Sequence, residues 1–243
     1  MKENRQAFTH LVRFELFRTF STLYGLLYVF FGILFPVFLY ITTFQSFSAS
    51  SIPSLGFLAF LVPIMLPLFS QIGSSGTAYF FSSDRANGVY EYLLASKTVK
   101  VSDVFLSHSV SGIITTSLIL GVNLAIFYGA NLVRSLILPW DVTEFIIIFT
   151  VPISYFSSLI SILSMLTWAS LTKRYPGVNA PGGIGTIIGV IPVLVFFILV
   201  NKYLWFQENI MFAGKIFSLI LGIILVILTV TVIRLMSNER MLP

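Results

Sequence analysis

The run Leu219-Ile220-Leu221-Gly222-Ile223-Ile224-Leu225-Val226-Ile227-Leu228 holds ten residues with no charge and no hydrogen-bonding side chain. A strand of a membrane barrel alternates lipid-facing apolar residues with polar ones that face the lumen. This run does not alternate. Within lipid it must therefore satisfy its own backbone hydrogen bonds, and a helix does so within one segment. With its flanks it extends from Ile216 to Ile233, close to the roughly 20 residues that cross a bilayer.

The same character extends along the chain. Its 243 residues are 57% hydrophobic and 9% charged, whereas a soluble domain carries about 25% charge. So few charges cannot cover a water-exposed surface, which excludes an ordinary soluble globule and a disordered chain. The charges are also clustered: residues 19 to 83 carry none, and six crowd between Asp84 and Asp103. Between the clusters the expected spans are about Leu23 to Phe44, Leu55 to Phe81, Val104 to Asn131, Phe145 to Thr172, Ile184 to Val200 and Ile216 to Ile233. The polar stretch from Gln45 to Ser54, rich in serine and holding Pro53, separates the first two. The expected fold class is thus all-α, a polytopic membrane protein with six transmembrane helices. Residues 1–243 form a single transmembrane domain, with residues 1–22 as an N-terminal segment outside the membrane. Leu23 to Phe44 is too long for the apolar core of a cleaved signal, so it reads as a retained span.

Basic residues set the orientation. Lys2, Arg5, Arg13 and Arg18 precede the first span; Arg85, Lys97 and Lys100 follow the second; Lys173 and Arg174 follow the fourth; Arg234 and Arg240 follow the sixth. Only Arg134, Lys202 and Lys215 fall on the other side. That bias places both termini in the cytoplasm. The net charge of +5 then records cytoplasmic loops and implies no nucleic-acid partner. Trp140 and Trp205 fall in outer loops, as interfacial aromatics do. There is no cysteine, so no disulfide or thiolate metal site.

The spans contain no Asp, Glu, Lys or Arg. Ion-coupled carriers place such groups near the midplane, so an energy source outside the membrane is expected. His108, at the start of the third span, reads as an interfacial histidine. No phosphate-cradling loop is present: the sole Gly-Lys pair, Gly214-Lys215, is followed by Ile216 and lacks the upstream glycine. ATP and magnesium would belong to a separate polypeptide. Gly73-Ser74-Ser75-Gly76 fits the pattern of a membrane serine protease, but only His10 and His108 could serve as a base and neither follows it in a glycine-flanked span. Small residues in membrane helices more often serve close packing. The chain is therefore not expected to be an enzyme.

The loop Ser83-Asp-Arg-Ala-Asn-Gly-Val-Tyr-Glu-Tyr-Leu-Leu-Ala-Ser-Lys-Thr-Val-Lys-Val-Ser-Asp103 has polar ends and an apolar middle. Val89, Tyr90, Leu93 and Leu94 recur at helical spacing. Asp84 suits the positive end of such a helix and Lys97 the negative end. Ser102 or Asp103 caps the next span. A short helix of this kind suits either the membrane surface or a cytoplasmic partner's groove. The N-terminal segment Arg5 to Ser21 puts Phe8, Leu11, Val12, Leu16 and Phe20 on one broad side, interrupted by Glu15. It reads equally as an interfacial elbow helix or as a basic flank anchoring the first span.

Asp84-Arg85-x-x-Gly88-x-x-Glu91-x-Leu93-Leu94-Ala95-Ser96 resembles the loop after the second span of ABC-2 type transporter permeases. That family usually has Glu where Asp84 stands, Thr where Val89 stands, and a proline shortly after the Leu-Leu pair, where this chain has Lys97-Thr98. Length, basic N-terminal segment and six spans agree. The resemblance implies a type V exporter-like fold in the cell membrane, a second permease subunit, identical or related, and a separate ABC ATPase subunit that holds ATP and Mg. It also implies that residues 84–96 carry a coupling helix, with Tyr90, Leu93 and Leu94 packed in the ATPase cleft and Asp84, Arg85 and Glu91 in polar contact. In relatives, spans two and five line the route or the dimer seam. Here Gln71, Ser74, Ser75 and Ala78 share one helical face, with Pro63 and Pro67 upstream, and Gly185 and Gly189 form a GxxxG pair. These read first as packing surfaces, as does the stripe Ser154, Ser157, Ser158, Ser161, Ser164. Gln71 is the best pathway candidate, since its amide is costly to leave facing lipid. Lys202 to Gly214 is expected to dip into the outer leaflet. The competing classes are an ATP-independent channel or carrier and a membrane-embedded hydrolase.

Overall fold

The computed structural model describes residues 2–46, 66–72, 76–77, 79–81, 83–84, 87–95, 99–133, 143–144, 146–171, 188, 190–196, 198–199 and 202–235. These are nearly all helical, with no strand among them. The principal helices are α1 (Lys2–Ser21), α2 (Leu23–Ser46), α3 (Val89–Ala95), α4 (Val101–Val133), α5 (Val151–Leu171), α6 (Leu204–Glu208) and α7 (Ile210–Leu235). A π-helical turn, Ile146–Thr150, leads into α5. Among the described residues, three stretches are long and apolar enough to cross a membrane: Val101–Gly129, Ile147–Ser164 and Phe212–Thr231. The α1–α2 pair, bent by 74°, would add a fourth if it is counted as one span. The chain is thus a helical protein with several potential membrane spans. The expected spans two and five are described only in part.

Helix α7 accounts for the opening run. Leu219, Ile220, Ile223, Ile224, Val226, Ile227 and Val230 are all exposed along it. So long an apolar face is stable only if lipid or another subunit covers it. Its inner stripe is different: Leu221 joins Phe149, Ile153, Val193 and Phe196 in a buried cluster. The helix starts at Ile210, six residues before the expected boundary. Much of the expected outer-leaflet loop is therefore α6 and the first turn of α7, and Lys215 in the next turn pairs with Glu144 at 3.1 Å.

Helix α4 is the central post. It packs against α1, α2 and α5, and α7 packs on α5. Its 33 residues span about 50 Å at 1.5 Å per residue. It starts at Val101, ahead of the expected cap at Ser102 or Asp103, and Asp103 reaches back from the first turn, its carboxylate accepting the Lys100 N–H at 3.0 Å. Glycine lets α5 approach: a Cβ at Gly112 would collide with Ile162 Cδ1. The serine stripe of α5 is turned into the bundle, with Ser154, Ser157, Ser158 and Ser161 all buried. On the other side, the buried Asn123 donates its Nδ2–H to the Gly32 carbonyl of α2 at 2.9 Å.

The joint between α1 and α2 is built by Thr22. Its N–H and hydroxyl both donate to the Arg18 carbonyl, at 3.1 and 2.8 Å, and finish α1. Its Oγ1 accepts the Gly25 N–H at 3.2 Å and caps α2. The bend brings the two backbones together so closely that a Cβ at Gly25 would collide with the Thr19 carbonyl. Helix α1 therefore leaves α2 at a steep angle, as an elbow would. Phe8, Leu11, Val12, Leu16 and Phe20 are half-buried, and Phe17, off that side, is 71% exposed.

Candidate functional site at the base of the short helix

Four segments meet where α3 is rooted: α1, the end of the second apolar segment at residues 83–84, α3 itself, and the start of α4. Gly88 makes the turn into α3 with φ of 73°, a left-handed conformation that side chains other than glycine adopt only with strain. The glycine of the loop motif thus has a backbone cause. The turn points Tyr90 inward, where it is 2% exposed. Its ring lies 5.1 Å from that of Phe81, and Phe81 meets the edge of His108 at 5.3 Å. Val99, Val104, Phe105 and Ile162 complete this apolar cluster, with Leu93, Leu94 and Leu11 packed on it.

A polar group sits inside that cluster. His108, 1% exposed, places Nδ1 2.9 Å from the Val104 carbonyl. A carbonyl only accepts, so Nδ1 carries the proton in the neutral ring and Nε2 presents a lone pair. The Tyr90 hydroxyl lies 3.3 Å from Nε2 and Glu15 Oε1 lies 3.5 Å from it. Glu15 is 3% exposed and its Oε2 has no hydrogen-bond partner. Arg18, one turn along α1, donates to Asp84 Oδ2 at 2.6 Å and lies over the Phe80 ring at 4.3 Å.

Burial pushes the Glu15 carboxyl above its ordinary range; His108 opposes this, Asp84 adds to it, and Arg18 opposes it. Burial likewise raises the Tyr90 hydroxyl, with Asp84 and Glu15 adding and Arg18 opposing. The phenol is therefore a neutral hydrogen-bond donor.

The expected site residues divide as follows. Asp84 and Tyr90 are buried within this chain, so the expectation that both reach outward to a partner is corrected. Their partners are Arg18 and His108, because the left-handed turn at Gly88 aims Tyr90 at α4. Leu93 and Leu94 are half-buried on this chain's own cluster, and Glu91 is half-buried beside them. The outward edge of α3 is instead Val89, Tyr92 and Ala95, with Tyr92 80% exposed. Gln71 is fully buried and does not face lipid. Arg85, Ser74, Ser75, Gly185 and Gly189 lie outside the described residues.

Sequence reading missed Glu15 and Arg18 and took His108 as interfacial. The signal was present in α1, where Glu15 interrupts an otherwise apolar side. A carboxylate in the middle of a packing face needs a group opposite it.

Comparison of the chain with protein-family models, with curated proteins and with solved structures yields no match. The site must therefore be interpreted from its own geometry. It can transmit force: α3 is fastened to α4 through Tyr90 and His108, and the segment before it is fastened to α1 through Asp84 and Arg18.

Proposed function

We propose that this chain is the membrane-spanning permease subunit of an ATP-driven transporter of the ABC-2 type, an exporter with six spans and both termini in the cytoplasm of the cell-membrane host. The resemblance of residues 84–96 supports this reading. The observation that carries it is the form of α3: a short helix whose inner side is fastened to α1 and α4 while its other edge, Val89, Tyr92 and Ala95, stays exposed.

A separate ATPase subunit, holding ATP and magnesium, docks on the exposed edge of α3. A second permease subunit completes the pathway. When the ATPases close, α3 moves with them. The Tyr90–His108 and Asp84–Arg18 contacts carry that motion into α4, which tilts as a rigid body against α1 to change access. The chain does no bond chemistry.

The test is co-purification with an ABC ATPase from the same genome, followed by transport in proteoliposomes. A stable complex with ATP-dependent transport is expected. A purified chain that associates with none of the host's ABC ATPases, or that transports without ATP, defeats the proposal.

A further inference from the structure

We propose that Glu15, Asp84 and His108 form a binding site for one divalent transition-metal ion of the zinc class, joining α1, the end of the second apolar segment and α4. One ligand atom from each residue lies within 4.8 Å of the other two. At a metal–ligand distance of about 2.1 Å, the edge of a tetrahedral site is about 3.4 Å. The Nε2–Oε1 separation is 3.5 Å, so two corners already stand at that spacing.

The surrounding contacts orient the donors. Hydrogen bonding of Nδ1 to the Val104 carbonyl fixes the tautomer that leaves Nε2 free to ligate, as outer partners of metal-bound histidines do. Arg18 holds the Asp84 carboxylate in the same way. Glu15 supplies the independent sign. Its side chain is 3% exposed and Oε2 has no hydrogen-bond partner, while Oε1 faces a nitrogen that presents a lone pair. Two lone pairs opposed in a dry site repel; a cation between Oε1 and Nε2 removes that repulsion, and a carboxylate that binds it through both oxygens engages Oε2 as well. Two carboxylates and one guanidinium leave one net negative charge, which a dication offsets. The imidazole donor selects against calcium and magnesium, which prefer oxygen. The Tyr90 hydroxyl, 3.3 Å from Nε2, is the group an incoming ion displaces. The proposal does not depend on the transport reading, since it concerns only this chain's own side chains.

The experiment uses the full chain, purified in detergent and stripped with chelator. Titration with Co2+ should give one equivalent per chain with the visible absorption of a tetrahedral ion, displaced by Zn2+. His108→Gln and Glu15→Gln should abolish that absorption with helical content unchanged, and His10→Ala should leave it intact. Arg18→Gln should weaken binding about 10–100-fold, the usual effect of losing an outer partner. If the ligand variants do not fold, X-ray absorption of the zinc-loaded native chain decides: one imidazole with otherwise oxygen donors supports the site, and any other set overturns it. Absence of a cobalt signal at every pH, or a signal retained in both ligand variants, also overturns it and leaves a proton as the site's cation.

Discussion

Arg18 and Asp84 lie 66 positions apart, yet they pair at 2.6 Å. Removing one partner of such a pair leaves the other charge without compensation. Arg18→Leu or Asp84→Leu alone should cost about 3 kcal/mol, read from chemical denaturation in detergent, and the double variant should recover most of it. Additive losses would mean that the two do not interact. Glycine offers a second contrast. Gly25→Ala drives a methyl into the Thr19 carbonyl and should destabilise by about 1–3 kcal/mol. Gly121→Ala meets nothing within 4 Å and should stabilise by up to about 1 kcal/mol through helix propensity. Equal melting temperatures for the two would refute the close approach at the joint. Little of this was legible in advance. Local spacing told which residues share a side of α1, but His108 stands 93 positions from Glu15, and no periodic pattern carries that pairing.

At the scale of elements, α3 shows how far pattern reading reaches. The recurrence of Val89, Tyr90, Leu93 and Leu94 located the helix, because helical periodicity is a local property. Which side turns inward was not local: it depends on the left-handed turn at Gly88 and on the space beside Phe81. The sequence pattern grouped Val89 with Tyr90, yet one is at the exposed edge and the other is buried. Tyr92→Asp therefore probes the outer edge without touching the core. It should change stability by less than about 0.5 kcal/mol, as exposed substitutions do, while abolishing association with the ATPase in pull-down. Tyr90→Phe should retain the helix and the complex, since only the hydroxyl facing His108 is lost. Intact association of Tyr92→Asp would move the docking edge elsewhere. The extents of α2 and α4 were legible for a plainer reason: uncharged runs bounded by polar residues are also where apolar helices end; α5 begins only at Val151, after the π-helical turn Ile146–Thr150. The break at Thr22 falls where the expected N-terminal segment, 1–22, meets the span from Leu23; the angle between the two helices was concealed, because no local pattern carries it.

The described helices form a bundle around α4 with an apolar exterior on α7, and the orientation can be tested cleanly because the chain has no cysteine. His10→Cys and Lys202→Cys place single thiols at exposed positions that the six-span reading assigns to opposite sides of the membrane. A membrane-impermeant maleimide should label Lys202→Cys on intact cells and His10→Cys only after permeabilisation. Labelling of both from outside would rule out that topology.

The bend at Thr22 has a consequence for the lipid. If α2 stands along the bilayer normal, an angle of 74° leaves α1 about 16° from the membrane plane, a float lying at the surface. Its 20 residues measure about 30 Å. Membrane helices meet a thinner bilayer by tilting, often by about 20°. A tilt of that size would lift the far end of the float by about 10 Å, out of the headgroups or down into the hydrocarbon. The pair therefore works as a carpenter's square. It holds α2 upright, so a change in bilayer thickness must be absorbed by the lipid or by the other helices.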